Sequence, residues 1–289
     1  MINSTLLDLT ATRYLLPLKE GGSLPAIVDT VDREDNETGL FVVKFRGAGQ
    51  GVKALVAELV IGGLARALGF RVPELAAVDL DEAFGKSEGD PEIQDILRGS
   101  RGINVGLRYL ESALNFDATH LDQVDAEFAS RLVWFDALTF QIDRSARNPN
   151  LLLTPHEPGS EDAVWLIDHG AGLFPHHDWS GFTTERAADP FPLIQNHVLL
   201  ARATELEAVD AALAADGLLA LDGVLDALPE ALLEHLLADD PVALGGTNDV
   251  RERYRSFLTQ RLGGASAAGP RPFLAPLIEA VGAAAETPG

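Results

Sequence analysis

The feature that most restricts the fold is a change of hydrophobic period partway along the 289-residue chain. Up to residue 110 the apolar residues come in short runs: TRYLLPL (12–18), PAIVDT (25–30), LFVVKF (40–45), RVPELAAVDL (71–80) and INVGLRYL (103–110). Polar or Gly-rich turns separate the first three, so the runs read as strands of a small antiparallel sheet. From residue 123 onward the period is helical, and DAEFASRLVWFDALTFQI (125–142) places Phe128, Leu132, Phe135, Leu138 and Ile142 on one face. Strands gathered first and helices afterwards predict an α+β chain.

Within the strand-rich part, VKALVAELVIGGLARALGF (52–70) has the spacing of one main helix, and the charged segment 81–101 reads as a surface insertion with one short helix. In the second part, NLLLT and AVWLIDHG are the arms of a hairpin, and residues 190–262 read as several helices. The expected division is 1–104 and 105–262, followed by a Gly-, Ala- and Pro-rich tail (263–289) whose order the sequence leaves open.

Composition narrows the function. A hydrophobic content of 46% supports a substantial folded core, while the formal charge of −22 speaks against binding nucleic acid or anionic membranes. The chain has no Cys, hence neither disulfide nor thiolate nucleophile. Its most apolar stretch is interrupted by Glu58 and Arg66, so no membrane insertion and a cytoplasmic location are expected.

The chemistry is concentrated in a few positions. QIDRSARNPNLLL (141–153) sets Asp143 and Asn148 five residues apart after a buried helix, and Asp168 follows in LIDHG at the end of an apolar strand. Oxygen side chains delivered from neighbouring strand ends suit Mg²⁺, and a carboxylate just before them can orient a hydroxyl. Taken alone, the first segment also fits a loop whose Asp and Asn cap their own backbone. Lys44 is one of four lysines and sits inside FVVKF, where burial is costly unless it meets an anion. Glu58 is the sole charge in LVAELVIGGLA and has no cation at helical pairing distance, so Lys44 is its natural partner. Gly21, Gly22 and Ser23 form a turn between the first two strands, read either as a plain hairpin turn or as a loop over phosphates. Loop glycines, strand Lys, helix Glu, Asp with Asn, and Asp before Gly occur in the order used for phosphoryl transfer.

In VVKF, in FDALTFQI followed by DRSARN, and in WLIDHG, the chain resembles the HipA-like kinases of bacteria, particularly the short form without the additional N-terminal subdomain of HipA toxins. It is more distantly similar to type II phosphatidylinositol 4-kinases, and the resemblance extends over residues 10–262. It implies a bilobal protein-kinase-like fold using ATP and Mg²⁺. Lys44 would then contact the α and β phosphates, steadied by Glu58. Asp143 would orient the acceptor hydroxyl or take its proton, while Asn148 and Asp168 would hold Mg²⁺. Gly21, Gly22 and Ser23 would lie near the phosphates, and the strand from Val105 to Tyr109 would hold adenine. The acceptor would be a protein Ser or Thr or a small molecule, and no antitoxin partner is expected.

The motifs also depart from those of ordinary protein kinases. Ile142 stands where HRD has its Arg, Arg144 follows the Asp instead, DHG replaces DFG, and no APE follows. Arg144 and Arg147 are candidates for balancing the acidic cluster or touching the acceptor, and Asn150 for capping the loop. Two other classes stay open: a nucleotide-binding pseudokinase scaffold, and nucleotidyl transfer through an inverted ATP. A zinc site of His169, His176, His177 and Asp178 is the competing metal reading, disfavoured by its spacing. Trp134, Phe135 and Phe140 are expected in the core.

Overall fold

The computed structural model describes residues 6–18, 24–49, 51–86, 88–154, 163–240 and 245–285. Its first part contains strands β1 (Leu7–Pro17), β2 (Ala26–Val31) and β3 (Glu37–Lys44), helix α1 (Gly51–Ala67), strand β4 (Leu75–Leu80), helix α2 (Pro91–Gly99) and strand β5 (Gly102–Arg108). Asp90 caps α2 by accepting from the Glu92 amide, and Pro91 opens the helix where a missing N–H costs nothing.

The sheet is more than the small antiparallel one expected. It is a closed barrel in the order β1-β2-β3-β5-β4, sealed by a parallel pairing of β1 with β4. Register shifts between Ala11 and Arg13 and between Tyr14 and Leu16 mark irregularities in β1, the kind of feature that bends and twists a strand toward closure. Alternate residues then fill the interior, among them Leu9, Val28, Phe41, Val43 and Val78. Gly106 is needed there, since a Cβ would lie 2.8 Å from Val78 Cγ2. β5 runs without a break through residues 104 and 105, so the barrel extends beyond the anticipated division to Arg108.

The second part begins with β6 (Leu114–Asn115) and α3 (Ala126–Leu138), followed by β7 (Leu151–Thr154) and β8 (Ala163–Leu166). The anticipated hairpin is β7 with β8, and β6 adds a third strand beside β7. Then come α4 (Thr184–Ala187), α5 (Leu206–Asp226), α6 (Glu230–Asp239), α7 (Thr247–Arg261) and α8 (Leu274–Ala285), with short 3-10 turns between some of them. The tail contributes to the core: Phe273 packs edge-on to Trp134, and Arg271 pairs with Asp210, which also accepts from Trp134 Nε1. No helix among the described residues is long and apolar enough to cross a membrane.

Helix α3 stops four residues short of the expected end, and Ile142 is 37% exposed rather than on the buried face. Phe140 takes a left-handed conformation (φ 52°), and the Gln141 amide reaches back to the Asp136 carbonyl, as in a Schellman stop. Buried Arg261 from α7 donates to the Ala137 and Leu138 carbonyls that the ending helix leaves open. Its guanidinium also stacks 3.9 Å from the Phe140 ring centroid, which holds this residue in its unusual backbone region.

Helix α1 is buried nearly all round because it belongs to the larger core rather than to the barrel interior. Two small residues let its neighbours approach: a Cβ on Gly62 would lie 3.1 Å from Leu75, and one on Gly63 would lie 3.0 Å from Val224 of α5. Glu58 is thereby fixed between the barrel and the helices.

Candidate active site

Three of the sequence-predicted residues meet directly. Lys44, the last residue of β3, places Nζ 2.6 Å from Glu58 Oε2 of α1 and 2.5 Å from Asp168 Oδ1 just beyond β8. The same Glu58 oxygen accepts the His169 amide at 2.8 Å, tying the helix to the chain that carries Asp168. Burial by itself would favour a neutral lysine, but the two carboxylates outweigh it and hold the Lys44 ammonium well above the ordinary lysine value. Burial pushes Glu58 above the ordinary carboxyl range against the pull of Lys44. On Asp168, burial also acts upward, yet the Lys44 ammonium prevails and lowers it. The Glu58 side chain is sealed, whereas that of Asp168 is 43% exposed.

Asp143 and Asn148 form the second group. Asn148 Nδ2 donates to Asp143 Oδ2 at 2.8 Å, and Asn150 Nδ2 donates to the Asp143 carbonyl at 2.8 Å. Asn150 is thus a loop cap, held in a left-handed conformation at φ 50°. Its carbonyl accepts the Ile167 amide, joining this loop to the strand end that bears Asp168. Gln141 makes a further link, donating through Nε2 to the Asp168 carbonyl at 3.2 Å while its Oε1 faces the Asp143 amide at 3.4 Å. Sequence reasoning missed Gln141. Its signal was a polar residue directly after a buried helix.

The remaining predicted positions divide. Gly21, Gly22 and Ser23 lie outside the described residues. Val105 is fully buried in β5, opposite Lys44 across the pairing with β3. Tyr109 follows β5, is 36% exposed, and donates its amide to the Leu40 carbonyl. Arg147 is exposed, whereas Arg144 is buried and pairs with Asp136 rather than facing the Asp143–Asn148 pair.

Each of the histidines considered as zinc ligands has a defined place. His169 is fully buried beside Gly62, and burial lowers it to about 3, so it is neutral. His176 hydrogen-bonds Tyr254 within an aromatic cluster that includes Trp179 and Phe182. The His177 carbonyl accepts Lys53 Nζ at 2.8 Å, anchoring the start of α1 to the segment after Asp168.

Mg²⁺ takes oxygen ligands of the kind Asp168 and Asn148 carry. Asp168 holds Lys44 through Oδ1 and Asn148 uses Nδ2 on Asp143, so Oδ2 of the one and Oδ1 of the other are uncommitted among the described residues. One ammonium between two carboxylates also leaves negative charge for a cation to balance.

A family model described as HipA-like kinase matches residues 31–231, well over half of the chain. Among solved structures, one similar chain is the Helicobacter pylori proinflammatory kinase CtkA, with 13% identity and a TM-score of 0.42, covering 92% of this chain and 97% of that one. The comparison with curated proteins found no match.

Proposed function

The chain belongs to the HipA-like kinase family, and from that premise we propose that it transfers the γ-phosphate of ATP, with Mg²⁺, to the hydroxyl of a protein Ser or Thr or of a small molecule. The observation that carries this reading is the triple meeting of Lys44, Glu58 and Asp168 beside the joined Asp143–Asn148 pair. Glu58 is sealed and keeps its hold on Lys44, while Asp168 is the partner whose side chain is partly exposed. In this reading Lys44 leaves Asp168 and turns to the α and β phosphates, which frees Asp168 to join Asn148 as an oxygen ligand. Bound Mg²⁺ supplies neutralising charge to the phosphate oxygens. Val105 to Tyr109 border adenine.

Asp143 receives the acceptor hydroxyl. As the acceptor oxygen bonds to the γ-phosphorus, the bond from that phosphorus to the β–γ bridging oxygen breaks. ADP leaves, and the hydroxyl proton passes to the Asp143 carboxylate. Asn148 keeps that carboxylate oriented through the hydrogen bond it already makes.

The test is incubation of the purified protein with Mg²⁺ and ATP labelled on the γ- or the α-phosphate, measuring self-labelling, nucleotide hydrolysis and transfer to added acceptors. γ-Label transfer that disappears in Lys44→Ala and Asp168→Ala supports the proposal. Transfer of α-label would indicate nucleotidyl chemistry, and ATP binding without any turnover would indicate a scaffold.

A further inference from the structure

A second buried cluster lies directly behind the Asp143 loop and takes no part in the chemistry described above. Asp136, on the last turn of α3, is fully buried, and its Oδ2 accepts from Arg144 Nε at 2.5 Å and from His197 Nε2 at 2.8 Å. The Leu199 amide donates to His197 Nδ1 at 3.0 Å, so the imidazole carries its proton on Nε2 and is neutral. Arg144 therefore supplies the one positive charge opposite Asp136. Its Nη1 also donates to the Asn150 carbonyl at 2.6 Å, and its own carbonyl accepts the Val198 amide at 3.1 Å. Ser145 and His197 form an isolated antiparallel bridge that fixes the two segments side by side.

These contacts hold the residue next to Asp143 by side chain and backbone together. Stability alone is a weak reason for such a cluster, because a well-packed apolar group of similar volume is commonly as stable as a buried ion pair. Directional bonds do something apolar packing does not: they set where the loop backbone lies. We propose that Asp136 and His197 are positioning residues for Asp143, acting through Arg144 to fix the loop from 143 to 150 in its phosphate-transfer geometry. Neither side chain touches the reacting groups.

The inference rests on the kinase reading, and the experiment separates the two. Steady-state phosphate transfer and amide hydrogen exchange are measured for the full chain as wild type, His197→Ala, His197→Gln and Asp136→Asn. His197→Gln keeps an N–H donor for Asp136 and leaves the Asp136–Arg144 pair whole, so it serves even if Asp136→Asn fails to fold. The expected result is a kcat lower by about tenfold to a hundredfold in His197→Ala, as small misplacements produce. The KM for ATP should stay within about twofold, because the nucleotide contacts are intact. Exchange should rise across the loop from 143 to 150 but not along α3, and His197→Gln should recover most of both losses. Unchanged kcat in folded His197→Ala, a raised KM with intact kcat, or unchanged loop exchange would overturn the inference. Should the wild type transfer no phosphate, the kinase reading fails on its own, and loop exchange alone decides whether the cluster positions the loop.

Discussion

Two buried ionic clusters differ in one physical respect. Lys44, Glu58 and Asp168 include a carboxylate exposed to solvent, whereas Asp136, Arg144 and His197 have side chains that are all essentially sealed. Both carry the desolvation cost of buried charge, and in both the opposite charge offsets it. Only the open one can exchange a partner for a ligand without unfolding anything. The sealed one can only hold shape. In the proposed reading, exposure, more than residue type, separates the group that would meet substrate from the group that would keep the loop in place.

The largest effect should come from breaking the open cluster. Lys44→Ala or Asp168→Ala should reduce phosphate transfer by on the order of a hundredfold to a thousandfold, the scale on which a single charge-stabilising group acts, with the Asp168 variant folding normally by circular dichroism. If Asp168→Ala instead unfolds the protein while retaining specific activity in the folded fraction, the open cluster is structural and the contrast is lost. Removing the carboxylate of the sealed cluster should, besides the loss of turnover expected above, cost stability. Asp136→Ala leaves Arg144 buried without its carboxylate and should lower unfolding free energy by about 3–5 kcal/mol in denaturant titration.

A smaller effect sharpens the comparison through pH. His169 is neutral in the fold, lowered by burial from 6.5 to about 3. The unfolded chain therefore binds a proton that the folded one refuses between those values, so its contribution is intact above pH 6.5 and falls as pH drops. By pH 5 the loss attributable to His169 should be about 2 kcal/mol, and His169→Phe should flatten that part of the stability profile. An identical slope in wild type and variant would show that His169 is not excluded from protonation in the native state. The smallest effect is expected at the surface. Arg13 pairs with Asp29 while 70% exposed, and Arg13→Ala should change stability by under about 1 kcal/mol.

Much of this was legible in the sequence where a charge was out of place. A lone Glu58 in an apolar helix and a Lys44 in an apolar strand predicted each other, and their pairing at 2.6 Å follows from burial of both. The strand runs and α1 were likewise visible as periodicity. What was hidden depends on long-range geometry. Closure of the barrel through β1 and β4 rests on a register between distant strands, which alternation within either strand does not encode. The end of α3 was obscured because a phenylalanine, not a glycine, takes the left-handed position, stabilised by ring and guanidinium contacts from elsewhere in the fold. Asp136, His197 and Arg261 resemble ordinary helix or loop polar residues until the structure shows that each is buried and hydrogen-bonded. Arg144 was legible as a neighbour of the site but not in its direction, since only the position of Asp136 reveals that it points inward.

The most direct test of the contrast is a crystal structure with Mg²⁺ and a non-hydrolysable ATP analogue. In that complex Lys44 Nζ is expected to keep Glu58, give up Asp168 Oδ1 and contact a phosphate oxygen, while the Asp136–Arg144–His197 bonds stay as they are. A nucleotide bound away from Lys44, or a Lys44 still paired with Asp168 beside bound phosphates, would contradict it.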